Sequence, residues 1–95
     1  MGKLSDNERK EITERIRGLR LEHMQAGIST QSIVICNNCR KVKPLVGSAR
    51  YDPYRLCNDC VLGYELAKAV GDIKSIDDFI LAEARVRAYL PRVWH

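Results

Sequence analysis

Four cysteines carry the chemistry of this 95-residue chain, and it has no others. They stand as Cys36-Asn37-Asn38-Cys39 and Cys57-Asn58-Asp59-Cys60, two Cys-x-x-Cys pairs with seventeen residues between them. A pair at this spacing turns both sulfurs towards one point, and a loop of this length lets the two pairs converge. Four thiolates around one Zn²⁺, each at about 2.3 Å, close the coordination sphere and leave no position for water or substrate. A metal held in that way is structural. No cysteine is left over as a nucleophile or redox partner, and no Ser/His/Asp set or paired carboxylates offer another route to catalysis. The residues predict a binding module, not an enzyme.

Two other uses of the cysteines compete with zinc. Two disulfides belong to secreted proteins, whereas Met1 to Lys10 is polar and carries no apolar signal segment. Asp6 also stands where a myristoylation signal needs Ser or Thr. A rubredoxin-like iron site uses the same ligands, but its knuckles favour glycine after the second cysteine, and here Arg40 and Val61 follow. One structural Zn²⁺ in a reducing compartment is therefore the expectation: cytoplasmic, nucleoid-associated in a bacterium or phage, nuclear in a eukaryote.

The elements that must position the cysteines can be read on either side. Ser5-Asp6-Asn7-Glu8 fits a capping box, and a helix is predicted from there to about Ala26, with Gly27 closing it. Ile12, Ile16, Leu19, His23 and Ala26 form one apolar stripe on that helix. His23 then reads as a satisfied, half-buried histidine, and Leu21 as either a lone exposed leucine or part of a second contact. Asp6–Lys10, Glu11–Arg15 and Glu14–Arg17 are spaced to pair on the outer face.

Ser32 to Ile35 is β-branched and predicts a strand leading into the first knuckle. Val42–Val46 and Ala49–Tyr51 are predicted to pair as a hairpin turning at Gly47-Ser48, with a second turn at Asp52-Pro53. Tyr51 and Tyr54 are expected to cover the finger more than to stack on bases. The second knuckle is predicted to open a helix with Leu62, Leu66, Ala69 and Val70 on one face and Gly71 at its end. A hairpin-borne knuckle followed by a helix-borne one is the arrangement of a treble clef. Its helix dipole would point its positive end at the thiolates, and Asp59 would favour the same N-terminus.

Ser75-Ile76-Asp77-Asp78 predicts one more helix start, with Ile76, Phe79, Ile80, Val86 and Leu90 buried and a stop at Pro91. Glu83 would sit in that face and need an arginine, Arg87 or one from the first helix. Trp94 is expected either to fold back on the core or to dock on a partner. The fold class expected is small α+β, mostly α, in a single zinc-stabilised domain over 1–95. It divides into an N-terminal helix (1–30), the finger with its helix (31–71), and a C-terminal helix and tail (72–95).

Ninety-five residues bury only a modest core, and metal binding would add folding free energy on the order of 10 kcal/mol. The formal charge is +4, and four thiolates with one dication lower it to +2. Residues 1–30 carry six basic and five acidic side chains, and residues 61–95 carry five of each. The local excess lies on the finger, where Arg40, Lys41, Lys43, Arg50 and Arg55 face only Asp52 and Asp59. Nucleic-acid affinity needs several phosphates neutralised at once, so this is a modest footprint.

The knuckles, Cys-x-Asn-Cys and Leu56-Cys57-Asn58-x-Cys60, resemble those of a GATA-type finger over about 25 residues. That resemblance implies DNA binding, with Lys41, Lys43, Arg50 and Arg55 on phosphates. The finger helix carries Glu65 and Lys68 among apolar residues, a poor surface for reading base edges. The spacing, and a helix leading directly into the finger, also resemble the DksA/TraR C4 zinc-finger family. That family binds RNA polymerase in its secondary channel and brings acidic residues of its N-terminal helix near the active site. Asp6 and Glu8 are the nearest counterparts. The resemblance implies transcriptional regulation by binding a protein, RNA polymerase or an associated factor, with GATA-like DNA binding as the alternative. A homo-oligomeric scaffold pairing through the C-terminal helix is the third expectation.

Overall fold

The computed structural model describes residues 4–80. Its first helix, α1 (Asp6–Gln25), begins and ends on local signals. Ser5 caps it: its hydroxyl accepts from the Glu8 amide at 3.2 Å, while Glu8 Oε1 accepts from the Ser5 amide at 3.0 Å. At the other end Gly27, at φ 93°, reverses the chain. The Gly27 amide then donates to Met24 and the Ile28 amide to His23, a Schellman closure of the last carbonyls. The second helix, α2 (Asn58–Ala69), closes identically, with Gly71 donating to Lys68 and Asp72 to Ala67.

Four three-residue strands lie between the helices, and they pair as two separate antiparallel hairpins. In the first, β1 (Ile33–Ile35) pairs with β2 (Val42–Pro44), so the first Cys-x-x-Cys knuckle is itself the turn. In the second, β3 (Ala49–Tyr51) pairs with β4 (Tyr54–Leu56) across the Asp52-Pro53 turn. This corrects the predicted pairing of Val42–Val46 with Ala49–Tyr51. The chain does turn at Gly47, where φ is 83°, but it crosses there from one hairpin to the other. Knuckle closure sets the partner: the Cys36 amide donates to Lys41 and the Arg40 amide to Cys36, which brings β2 back onto β1.

The core is the space between α1, α2 and the second hairpin. Ile16, Leu56, Val61, Tyr64 and Ile80 are buried there beside Cys36 and Cys57, with Ile12, Leu19, Leu62 and Phe79 packed around them. Tyr64 sits between Tyr51 and Phe79 in two edge-to-face contacts, with ring centroids 4.8 and 5.6 Å apart. Tyr51 donates to Glu65 at 2.9 Å and Tyr54 to Asp77 at 3.0 Å. Both tyrosines thus serve the fold, as expected.

Several helix-face expectations shift. On α2 the buried face runs through Asn58, Val61 and Tyr64, while Leu62, Leu66 and Val70 are half-buried and Ala69 is exposed. On α1, Ile16 is buried, Ile12, Leu19 and His23 are half-buried, and Ala26 is exposed, as is Leu21. The predicted charge pairs on α1 do not form. Arg15 reaches Glu65 and Arg17 reaches Asp59, both on α2, while Lys10 pairs with Glu14. Ser75 accepts from the Asp78 amide at 3.3 Å and opens a helical stretch over 76–80. Ile76, Phe79 and Ile80 turn to the core as predicted. Val86, Leu90, Pro91, the Glu83–Arg87 pair and Trp94 lie outside the described residues, as does most of the helix expected to pair two copies. No helix among the described residues is long and apolar enough to cross a membrane.

Candidate metal centre

The two knuckles come from different elements, and each brings its cysteines inward for a local reason. Cys36 and Cys39 sit at the tip of the β1–β2 hairpin. The chain leaves it through Arg40 at φ 65°, a left-handed conformation that glycine adopts more readily. The backbone there is thus the one glycine would supply, and the presence of Arg40 does not separate zinc from iron. Cys57 is the N-cap of α2 and Cys60 lies in its first turn, so both thiols lie at the positive end of that helix.

All four Sγ atoms lie within 4.8 Å of one another. The Cys39–Cys57 Sγ separation is 3.9 Å, against about 3.8 Å for a tetrahedral edge with 2.3 Å metal–sulfur bonds. It is far above the ~2.05 Å of a disulfide, and all four thiols are free. One ion uses all four sulfurs at once, which two disulfides would not require.

Amide donors reinforce the thiolates. The Asn38 and Cys39 amides both donate to Cys36 Sγ at 3.4 Å, and the Asn38 side-chain amide donates to Cys60 Sγ at 3.4 Å. Burial works to raise the Cys36 pKa, but donation from the Cys57, Cys39 and Asn38 amides outweighs it and brings the thiol down to about 7. For Cys57 and Cys60 burial prevails and holds the thiols above their ordinary range. Cys36 and Cys57 are essentially inaccessible to solvent. Buried thiols held above their ordinary range, as those of Cys57 and Cys60 are, need a cation to become thiolates. The donor set, its convergence and its burial fit a structural metal ion.

Polar contacts from the knuckle asparagines tie this centre to the fold. Asn37 donates its amide to Arg55 at 2.9 Å and accepts from the Arg55 amide at 2.7 Å, fastening the first knuckle to β4. Asn58 is buried between α1 and the 45–48 loop, donating to Ile16 at 2.8 Å and Gly47 at 3.0 Å while accepting from Arg17 at 2.8 Å. A Cβ at Gly47 would collide with Arg20 Cγ and approach Asn58 Nδ2 at 3.0 Å, so space and φ both require glycine there. His23 Nδ1 accepts from the Gly47 amide at 2.9 Å, the satisfied histidine expected from the sequence. Asn37, Asn38 and Asn58 were legible in the sequence only as knuckle letters, and Arg17 only as a surface charge.

The predicted surface residues are dispersed. Asp59 takes both Arg17 and Lys43, at 3.5 Å from the lysine. Donation from Arg17 holds the Asp59 carboxyl below its usual range, and the Asp59 charge, followed by Cys57, raises Lys43. Arg50 pairs with Asp52, and Arg55 donates to Ser48 Oγ at 3.3 Å. Arg40 and Lys41 are exposed and form no ion pair among the described residues. Glu8 is engaged in the α1 cap and Asp6 occupies its first turn. At 1.5 Å per residue, about 15 Å of helix separates Asp6 from the core at Ile16. The structure brings together the four cysteines, but not the acidic and basic candidates.

No family model matches the chain, and neither any curated protein nor any solved structure matches it.

Proposed function

We propose that the chain is a non-catalytic zinc-finger protein that regulates transcription by binding a protein partner, with RNA polymerase or an associated factor as the leading one. The observation that carries this reading is the four-thiolate centre: every candidate ligand position is a cysteine, and the sulfurs already receive amide donors. A closed site of that kind holds a surface in place and does no chemistry. Zinc is the ion this reading assigns, because a redox-silent cation without geometric preference suits a purely structural tetrahedral site. The resemblance to the DksA/TraR family, in spacing and in the helix leading into the finger, supports polymerase as partner. With Glu8 committed to the helix cap, Asp6 is the acidic residue left to act there.

Protein binding is favoured over the GATA-like reading by what the basic residues do. Lys43, Arg50 and Arg55 have intramolecular partners, which leaves Arg40 and Lys41 for phosphates, too few for strong binding at physiological salt. A tagged pull-down from bacterial lysate, with and without nuclease, tests the proposal. RNA polymerase subunits retained despite nuclease support it. Retention that nuclease and salt abolish would replace it with DNA binding.

A further inference from the structure

The first hairpin carries an apolar face that nothing among the described residues covers. Ile33 is 66 % exposed, Ile35 65 % and Val42 60 %. The register places Ile33 opposite Pro44 and Ile35 opposite Val42, so the four side chains share one side of the two-stranded sheet. The backbone of the same strand has no bonding partner on its outer edge among the described residues. The Leu45 amide donates to Ser32 and the Cys36 amide to Lys41, which fixes residues 32, 34 and 36 as those whose backbone groups face β2. The N–H and C=O groups of Ile33 and Ile35 therefore point to the outer edge of β1. The outer edge of β2 is blunted, because Pro44 has no N–H to offer.

At the knuckle end of the hairpin stand Arg40, in the turn, and Lys41, which lies opposite Cys36 on the β2 side. Both are exposed and without an ion pair among the described residues. An open backbone edge, exposed β-branched side chains and unmatched cations at one end describe a surface for strand addition.

We propose that the edge of β1 receives an extended segment of a partner protein, apolar at alternate positions and acidic where it passes the first knuckle. The proposal rests on the reading of the chain as a protein-binding module and names the surface it would use. The added strand would bond to the backbone of Ile33 and Ile35, lay its apolar side chains beside theirs, and carry its carboxylates at the knuckle end, towards the charges of Arg40 and Lys41. A second copy of the chain fits this edge less well. Pairing β1 with itself about Val34 sets each knuckle beside Thr30 and Gln31 of the other copy, which offer no negative charge.

The test is selection of a display library of random dodecapeptides against the metal-loaded chain, followed by titration of the enriched peptides with amide exchange read by NMR. The expected result is enrichment of peptides with apolar residues at alternate positions and Asp or Glu near one end. Exchange of the Ile33 and Ile35 amides should slow at least tenfold in the complex. Replacing the peptide carboxylates by amides should weaken binding severalfold.

Ile35→Pro removes an outward N–H without touching the β1–β2 ladder, and should cut affinity at least tenfold. Ile35→Lys, which keeps the N–H, covers the case in which the proline variant loses metal, and should weaken binding by removing the apolar contact. No enrichment, binding that leaves the Ile33 and Ile35 amides unprotected, or affinity of both variants equal to that of the parent would overturn the proposal. Concentration-dependent protection of those amides without peptide would overturn it in favour of a second copy. If polymerase subunits are retained equally by the parent and by both variants, the edge proposal fails while the protein-binding reading stands.

Discussion

Asn58 joins three parts of the molecule, and its removal should be costly. Its amide donates to the carbonyls of Ile16 on α1 and Gly47 in the inter-hairpin loop, and its oxygen accepts from Arg17. In Asn58→Ala the Ile16 carbonyl keeps its helical partner, but the buried Gly47 carbonyl loses this donor. Two lost neutral bonds contribute about 1 kcal/mol each, an orphaned buried carbonyl adds about 1 kcal/mol more, and the bond from the half-exposed Arg17 adds little. A loss of about 2–3 kcal/mol is expected, equivalent to roughly 10–20 °C in Tm for a domain of this size.

Asn58→Asp keeps the shape and the contact to Arg17, but points a carboxylate oxygen at two carbonyls, and should cost at least as much. Arg17→Ala removes one bond to Asn58 and a largely exposed pair with Asp59, and should cost about 1 kcal/mol or less. Urea denaturation at fixed excess metal measures all three, with metal content checked in each folded protein because metal adds its own linkage. An Asn58→Ala variant within about 0.5 kcal/mol of the parent, or an Arg17→Ala variant more damaged than it, would refute the account of Asn58 as the joint.

Other perturbations probe the centre and the core. Arg40→Gly should raise stability by about 0.5 kcal/mol in the same denaturation assay, since the left-handed backbone costs a side chain about 1 kcal/mol and glycine returns roughly half of it in the unfolded chain. Cys57→Ser should abolish metal binding and folding together, seen as loss of stoichiometric metal by elemental analysis and of helical circular dichroism. A variant that stayed folded without metal would remove the basis for a structural ion. Tyr51 is held neutral by burial, and then by its bond to Glu65, so its phenol titrates above the ordinary range. The unfolded chain therefore loses that proton first, and stability should fall as pH rises past about 10. Ultraviolet tyrosinate titration of the folded protein should show the Tyr51 phenol lagging, as well as that of Tyr54, which its bond to Asp77 also raises, and Glu65→Gln should bring Tyr51 down.

How legible each element was depended on where its determining partner lies. The ends of α1 follow from residues three to five apart, Ser5 with Glu8 and Gly27 with the last turn, and these could be read directly. The strand pairing could not. Val42–Val46 and Ala49–Tyr51 are near neighbours flanking a glycine, and sequence proximity favours joining them. The knuckle supplies a turn one strand earlier, and Cys36 bonding to Lys41 leaves β2 already paired when the chain reaches Gly47.

The rotation of α2 shows the same competition between local pattern and metal. Apolar periodicity alone turns Leu62 and Leu66 inward. Cys57 and Cys60 must face the ion, however, and at about 100° per residue that requirement carries Val61 and Tyr64 into the core and leaves Leu62 and Leu66 half-buried. The three knuckle asparagines were hidden for a further reason. An amide side chain offers a donor and an acceptor to backbone of any element within reach, so nothing in its own neighbourhood marks the partner. Asn37 serves Arg55, Asn38 serves Cys60, and Asn58 serves Ile16 and Gly47, each across a gap that only the closed metal site makes short. The cysteines could be found from spacing because one ion imposes the spacing. The asparagines that hold the knuckles in place answer to the assembled fold, and so become visible only with it.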